Sequence, residues 1–504
     1  MTDISSPPFA TTERATNNYD PRLELIRELS QALDRANFEY DRVDRYYTGD
    51  QPMRYLTSEI EAQVGRRLAR SVINWPEVIV DSVKRRLNVE GFRLGQGGEA
   101  DDELWRIFTA NQLDEESPLG IADALVHGIV YLAVWPNDDD PGTPLITYET
   151  AHQVTVDYDP GMRTVRSALK RWRDRDTDYA TLFLRDRVIR FAARGSTVDV
   201  PSIPNYEQVE VIANPFGAVP IVPMVNRGRL GNRSGRSEMA SVIPIVDHIN
   251  QLVSDLMVTS NFYVTPRRYV TGMSIPPGVD RSRFQAEMKQ FWEDAPKSKF
   301  LVAGEGADFG QFPEATLDGF VKAINLLTAA LAAIGGLPPD DLGLNTTNPA
   351  SAEARRAAET TLILRAEEKW GPFGGALTRS MRLAVAAQDA RPLRDIPEEY
   401  NRMQVAWKDP ATPAPAQAMD AAVKGVDAGI YDVEAAQQSV GMSPVERAAV
   451  KARAEETVAI AATADVRARI EMARELEQSD GLSKNAALAA AGLLQAASLN
   501  ASGA

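Results

Sequence analysis

An α+β fold, predominantly helical and spread over several domains, is predicted by three features of this 504-residue chain. Two stretches, Ser241 to Ser260 and Thr316 to Ile334, space their apolar residues at helical intervals. The segment from Leu145 to Arg227 changes to period two, as half-buried strands require. Beyond a Pro/Ala linker at Asp409 to Pro415, the chain is alanine-rich and reads as helix to about Glu477.

Residues 1–18 are polar and rich in Pro, Ser and Thr, without a basic start or apolar run, so a flexible arm is expected rather than a signal peptide. Arg22 to Tyr47 reads as helix and ends in the turn chemistry of Tyr46-Tyr47-Thr48-Gly49-Asp50-Gln51-Pro52. Trp75 to Leu87 reads as a second helix, opened by Pro76, with Val78, Ile79, Val83 and Leu87 inward. Gln153 to Asp157, Thr181 to Leu184 and Val209 to Ile212 are the strand-like runs, and short connections between them favour a mainly antiparallel sheet.

In the first striped helix Val242, Val246, Ile249, Val253 and Leu256 share one face, opposite Asp247, Asn250, Gln251 and Ser254. In the second, Leu317, Phe320 or Val321, Ile324, Leu327, Leu331 and Ile334 do the same, between a Thr316 N-cap and a stop at Gly335-Gly336. Such stripes suit either the core of one subunit or an interface with a neighbour. Between the helices lies a small insert with short strands at Arg268 to Thr271 and Phe300 to Ala303 and a helix near Arg281 to Glu293. It is mildly basic, with Arg267, Arg268, Lys297 and Lys299 among its cations. After the second helix comes Leu337-Pro338-Pro339-Asp340-Asp341-Leu342, stiffened by its prolines and acidic. Asn348-Pro349 then starts another long helix, which Gly371-Pro372-Phe373-Gly374-Gly375 is expected to kink or break.

Charge and chemistry exclude more than they select. With 70 acidic against 55 basic residues the net charge is −15, which disfavours tight, specific DNA binding by the whole surface. There is no cysteine, so disulfide and thiolate chemistry are absent. No Gly-rich turn ends in Lys-Ser or Lys-Thr, so no phosphate-binding motor loop exists. Gly304-Glu305-Gly306-Ala307-Asp308-Phe309-Gly310 misplaces its last glycine for a dinucleotide fingerprint and reads as a simple turn. His127, His152 and His248 are far apart in sequence, so neither a zinc site nor a histidine triad is expected. Asn137-Asp138-Asp139-Asp140-Pro141-Gly142 reads as a solvated turn rather than a cation loop. The cations Arg355, Arg356, Arg365, Lys369, Arg379 and Arg382 are expected on solvated faces, paired with Glu353, Glu359 and Glu367. The most apolar stretch, Ala323 to Leu337, is short for a bilayer span. No catalytic constellation, cofactor site or metal site emerges, and an enzyme is not expected.

The order of several short motifs resembles the portal proteins of tailed bacteriophages, in the family typical of long-tailed phages of Gram-positive hosts. The resemblance lies in Tyr46-Tyr47-Thr48-Gly49-Asp50-Gln51, then Asn74 to Phe92 with Val80-Asp81 and Arg86-Leu87. It continues with Asn214-Pro215-Phe216-Gly217, Val219-Pro220-Ile221-Val222-Pro223, Asn226-Arg227 and Gly235-Arg236-Ser237-Glu238. It ends with Leu337-Pro338-Pro339 and Asn348-Pro349-Ala350-Ser351-Ala352-Glu353, covering about residues 20 to 455.

The resemblance implies a wing, stem, clip and crown, repeated as a dodecamer around a channel for double-stranded DNA. Residues 19–235 would be wing, 236–265 and 308–335 the stem helices, 266–307 the clip and 336–348 the tunnel loop. Residues 349–392 would be a long kinked helix of the wing, 393–478 a helical crown and 479–504 a tail. Leu337, Pro338, Pro339, Asp340, Asp341, Leu342, Asn345, Thr346 and Thr347 would then face DNA without sequence specificity. Val242, Val246, Ile249, Val253, Leu256, Leu317, Ile324, Leu327 and Leu331 would pack the stem. Implied partners are the terminase large subunit, a head-tail adaptor, and the major capsid and scaffolding proteins, with no membrane. The implied location is the capsid vertex of the virion, after assembly in the host cytoplasm. Competing classes are another virion component, such as a head protein or connector adaptor, and a metal-dependent nuclease, for which no clustered acidic motif is present.

Overall fold

The computed structural model describes residues 20–52, 72–95, 101–194, 206–264, 268–272, 278–294, 308–311, 317–344, 352–411, 415–430 and 432–440, with scattered residues beyond. The expected arm, Thr316, the Phe300 to Ala303 strand and the Asn348-Pro349 cap lie outside these residues, as does nearly all of the tail. The chain divides into two compact units, residues 1–410 and 411–504.

Helix α1, Pro21–Thr48, starts where the Asp20 carboxylate accepts the Arg22 N–H and ends at Gly49, whose φ of 75° is left-handed. Ile26, Leu29, Leu33, Tyr40, Val43 and Tyr46 form its buried face. Helix α2, Trp75–Lys84, follows; it closes one turn before the predicted Leu87, which is buried all the same. Strand β1 is Val89–Leu94, α3 is Asp102–Ala110 and α4 is Leu113–His127.

Strand β2, Ile129–Trp135, pairs antiparallel with β3, Leu145–Glu149. Its apolar run makes sense because both faces are covered. Val130, Leu132 and Val134 enter the main core, while Ile129 and Tyr131 enter a second cluster on the other side. An antiparallel sheet follows in simple sequence order: β4 Val154–Tyr158, β5 Val165–Asp174, β6 Thr177–Phe183, β7 Arg187–Arg194 and β8 Glu207–Ala213. Its face carrying Leu169, Leu182, Ile189 and Phe191 packs on Ile26 and Leu29 of α1. Strand β9, Ile221–Val225, returns to the other edge of β2.

Helix α5, Ile243–Val264, corresponds to the first striped stretch. Strands β10, Arg268–Thr271, and β11, Asp308–Gln311, pair antiparallel, and α6, Arg281–Asp294, lies between them in sequence. Asp308, Phe309 and Gly310 are therefore strand, so the Gly304 to Gly310 segment is not a simple turn throughout. Helix α7, Asp318–Gly335, is the second striped stretch. Its N-cap is Leu317, without a side-chain cap, and Gly336 ends it at φ 69°.

Helix α8, Ala352–Gln388, runs as one helix through Pro372, where a kink or break is predicted. Losing the proline hydrogen bond costs roughly 3 kcal/mol. Glu368, whose carbonyl loses its partner, is exposed to water, while Phe373, Ala376 and Leu377 anchor the next turn in the core. Strand β12, Met403–Trp407, pairs with β1. Residues 393–410 therefore belong to the first unit, and the helical C-terminal part begins at Ala411 rather than 393. In that second unit α9, Pro415–Asp427, packs beside α10, Val433–Ser439.

One close approach fixes the route of the chain between β9 and α5. Gly235 has φ 74°, and a Cβ there would lie 2.0 Å from the Gly128 carbonyl oxygen. The Asn226 N–H donates to that same oxygen. Gly235→Ala combines left-handed strain with a backbone clash, so it is expected to lower the thermal midpoint by well over 10 °C or to prevent folding; differential scanning calorimetry checks this.

Candidate channel-wall element

The family-like motifs are mostly structural joints. Tyr46 donates its hydroxyl to Asp247 of α5 at 2.7 Å, and Tyr47 to Asp81 of α2 at 3.1 Å. Burial first, then Asp81, pushes the Tyr47 hydroxyl up to about 12. Asn74 Nδ2 donates to the Tyr47 carbonyl, and Asn250 of α5 accepts the Ile73 N–H. At the next motif, Asn214 Nδ2 donates to the Leu184 and Ala218 carbonyls while its oxygen accepts the Phe216 N–H. That turn sets Phe216 in the core with its ring edge toward Trp135.

Glu238 is the centre of the arrangement. Its side chain is fully buried. Arg227 and Arg365 each donate to Oε1 at 2.9 Å, while Lys369 and Asn226 donate to Oε2 at 3.1 Å. The backbone N–H of Glu238 donates to the Leu125 carbonyl at the end of α4. Arg365 also donates to the Ile334 carbonyl, one of the unpaired acceptors at the C-terminus of α7. One carboxylate thus joins the end of β9, the entry to α5, the end of α7 and the middle of α8. Burial alone would raise this carboxyl, but Lys369, Arg227 and Arg365 outweigh it and hold it below the ordinary carboxylate range.

This corrects the expectation for two cations. Arg365 and Lys369 are not solvated helix charges; only 12% and 3% of their side chains are exposed, against Glu238. Arg382 donates to Asn401, and Arg379 to the Pro223 carbonyl. Spacing along α8 shows the i+4 relation of Arg365 and Lys369, but Glu238 lies more than a hundred residues away in sequence.

Helices α5 and α7 pack together, but the predicted stripes divide. Val242, Val246, Ile249 and Leu331 are fully buried within the subunit, and Val253, Leu256, Leu317, Ile324 and Leu327 are partly buried. Asn250 and Ser254, expected on a polar outer face, are buried too, because the first accepts from Ile73 and the second bonds back to the Asn250 carbonyl. Several large apolar side chains of α7 instead turn outward, beside exposed Lys322 and Asn325: Val321 is 49% exposed, Leu326 72% and Ile334 46%. By length and composition α7 is also apolar enough to cross a membrane.

The loop after α7 forms a 3-10 turn, Pro339–Leu342, closed by Gly343 at φ 75°. Leu337, Pro338 and Leu342 are buried, whereas Pro339, Asp340 and Asp341 are exposed. The acidic pair therefore projects from a turn nailed into the core by its flanking leucines. Asn345, Thr346 and Thr347 lie outside the described residues, as do Arg267, Lys297 and Lys299; Arg268 opens β10. Asn137 and Asp140 cap backbone N–H groups of their own turn, as a solvated turn requires. His248 is exposed on α5, its Nδ1 2.7 Å from the Pro244 carbonyl oxygen.

The profile of the family described as "Phage portal protein, SPP1 Gp6-like" matches residues 27–457. The chain belongs to the phage portal protein family. It is 32% identical to the portal protein of Mycobacterium phage D29 over 453 residues, 86% of this chain and 88% of that one. It is 32% identical to the portal protein of Mycobacterium phage L5 over 457 residues, 88% of this chain and 90% of that one. Among solved structures, a chain in the neck of an empty gene transfer agent particle superposes with a TM-score of 0.44 at 13% identity, over 76% of this chain and 91% of that chain. The portal family is structural, not enzymatic, and its members are virion components.

The Glu238 joint makes a stability prediction for the portal chain. Glu238→Gln leaves three cations around a neutral amide and is expected to cost about 3–5 kcal/mol, read from the denaturant midpoint. A depressed folded pKa means the stabilisation is complete above the unfolded carboxylate value and is lost as pH falls through the folded one. The gap between the wild type and E238Q should therefore hold at pH 7 and narrow below about pH 4.

Proposed function

We propose that copies of this portal chain close side by side into a dodecameric ring at one capsid vertex, with α5 and α7 as stem and the turn after α7 facing double-stranded DNA in the channel. The exposed apolar patch of Leu326 and Ile334 on α7 is the observation that carries this reading. An 18-residue helix with Val321, Leu326 and Ile334 turned outward needs a cover, and a heterologous, closing contact with a neighbouring copy supplies one. Membership in a virion family favours a protein neighbour over lipid. Val321 and Ile334 are about half covered already and Leu326 less, so each adds roughly 1–2 kcal/mol on closing.

DNA has to slide through such a channel rather than bind. Duplex carries one negative charge per about 1.7 Å of axis, so lysines lining the bore would hold phosphates while carboxylates repel them. Asp340 and Asp341, exposed on a turn whose backbone is fixed by buried Leu337 and Leu342, provide a repelling and stiff surface. The small β10–β11 element with α6 corresponds to the clip and residues 19–235 to the wing. The unit from Ala411 corresponds to the crown. Clip and stem would meet the terminase large subunit and a head-tail adaptor, and the wing the major capsid and scaffolding proteins, during assembly in the host cytoplasm. No cofactor is required.

Val242, Val246 and Ile249 hold the subunit together, so polar substitutions there would unfold it rather than report on the ring. L326D with I334D is the sharper test: native mass measurements should show folded monomers with the ring population reduced at least tenfold, and normal rings would refute the interface. D340K with D341K should leave rings intact and slow DNA packaging in vitro severalfold; unchanged packaging would remove the turn from the bore.

A further inference from the structure

Two histidines and an aspartate that are far apart in sequence meet on the wing side of the first unit. Asp44 lies in the last turn of α1, His127 is the last residue of α4, and His152 sits in the turn between β3 and β4. His127 Nε2 is 2.7 Å from Asp44 Oδ1, and His152 Nε2 is 2.8 Å from Asp44 Oδ2. The ring centroids are 5.0 Å apart and nearly perpendicular. One atom from each of the three residues can be chosen so that all lie within 4.8 Å of one another. The Tyr40 ring stands edge-on to both imidazoles, at 5.4 and 5.6 Å, and walls the cluster on one side.

We propose that Asp44, His127 and His152 form a binding site for a late first-row divalent cation of the zinc class, which would join α1, α4 and the β3–β4 turn. Two imidazole nitrogens with one carboxylate are a borderline donor set, suited to Zn, Co or Ni and unlike the all-oxygen sets of Mg and Ca. Tetrahedral bonds of about 2.0–2.2 Å place ligand atoms roughly 3.3 Å apart. The present contacts, 2.7 Å to Oδ1 and 2.8 Å to Oδ2, would lengthen by about half an ångström as the three side chains regroup around the ion.

Access and rigidity are divided among the donors. The His127 side chain is 4% exposed and fixed at the helix end, while His152 and Asp44 are 27% and 39% exposed and leave an entry path. Asp123, one turn before His127 on α4, interacts electrostatically with all three residues, and water can supply the fourth donor. Asp41 is 3.8 Å from His152 Nδ1, on the side away from the shared carboxylate, an ion-pair distance and not a hydrogen bond. His127 Nδ1 has no hydrogen-bond partner among the described residues. Without that outer support the affinity should be roughly 10–100-fold weaker than at a fully buttressed site.

The test uses untagged, full-length protein stripped with chelator and titrated with Zn²⁺, then with Co²⁺. The expected result is one equivalent per chain, visible absorption bands for the cobalt form, and a thermal midpoint that rises with zinc. H152A and D44N should bind at least tenfold more weakly and lose the zinc-dependent rise, while H248A behaves as wild type. Circular dichroism establishes that H152A and D44N are folded; both change partly exposed side chains, so either alone suffices if the other is not. Absence of uptake by the wild type, or equal uptake by wild type and the folded variants, overturns the site.

Discussion

A carboxylate with no exposed surface, surrounded by three cations and an amide, is the constraint on which the rest of the first unit depends. Desolvating Glu238 is tolerable only because every element that approaches it brings a compensating donor. The converse is equally strict: Arg365 and Lys369 can be buried on α8 only where a carboxylate waits. The ends of β9 and α7 and the middle of α8 are thereby held in one geometry that apolar packing, which is non-directional, would not specify by itself.

Around that joint, apolar surface is distributed unevenly. The inward sides of α5 and α7 are absorbed into the same core as β2 and α8, and the turn after α7 is pinned by Leu337 and Leu342. What remains outside on α7 includes Leu326 and Ile334, ahead of the exposed carboxylates of Asp340 and Asp341. In the proposed ring, the first pair would meet the next copy and the second the lumen. The absence of clustered nucleophiles and of nucleotide-binding loops in the sequence agrees with a family whose members are structural.

Local signals carried much of the fold. Asp20 and Gly49 bound α1 as caps should, the Gly336 stop ends α7, and period two marked β4, β6 and β8 of the five-stranded sheet. The breaks also had local causes that tertiary packing overrode. Pro372 does not end α8 because Phe373 and Leu377 are locked in the core, and residues 403–407, expected to be helical, are strand β12 because they pair with β1 more than three hundred residues earlier. Asn250 and Ser254 read as polar surface because their type says so, yet the Asn250 oxygen accepts the Ile73 N–H and the Ser254 hydroxyl donates to the Asn250 carbonyl inside the subunit.

By itself the sequence determined that the long striped and capped segments are helix, that Leu145 to Arg227 carries strands, where several helices stop, and through an ordered set of short motifs the family. Periodicity, caps and turn residues act over a few positions, so they can be read from neighbours along the chain. Only the tertiary structure decided which side of a striped helix is core, which cations lose their water to Glu238, and that His127 and His152 converge on Asp44. Those outcomes depend on groups tens to hundreds of residues apart, and desolvation and charge pairing act through space.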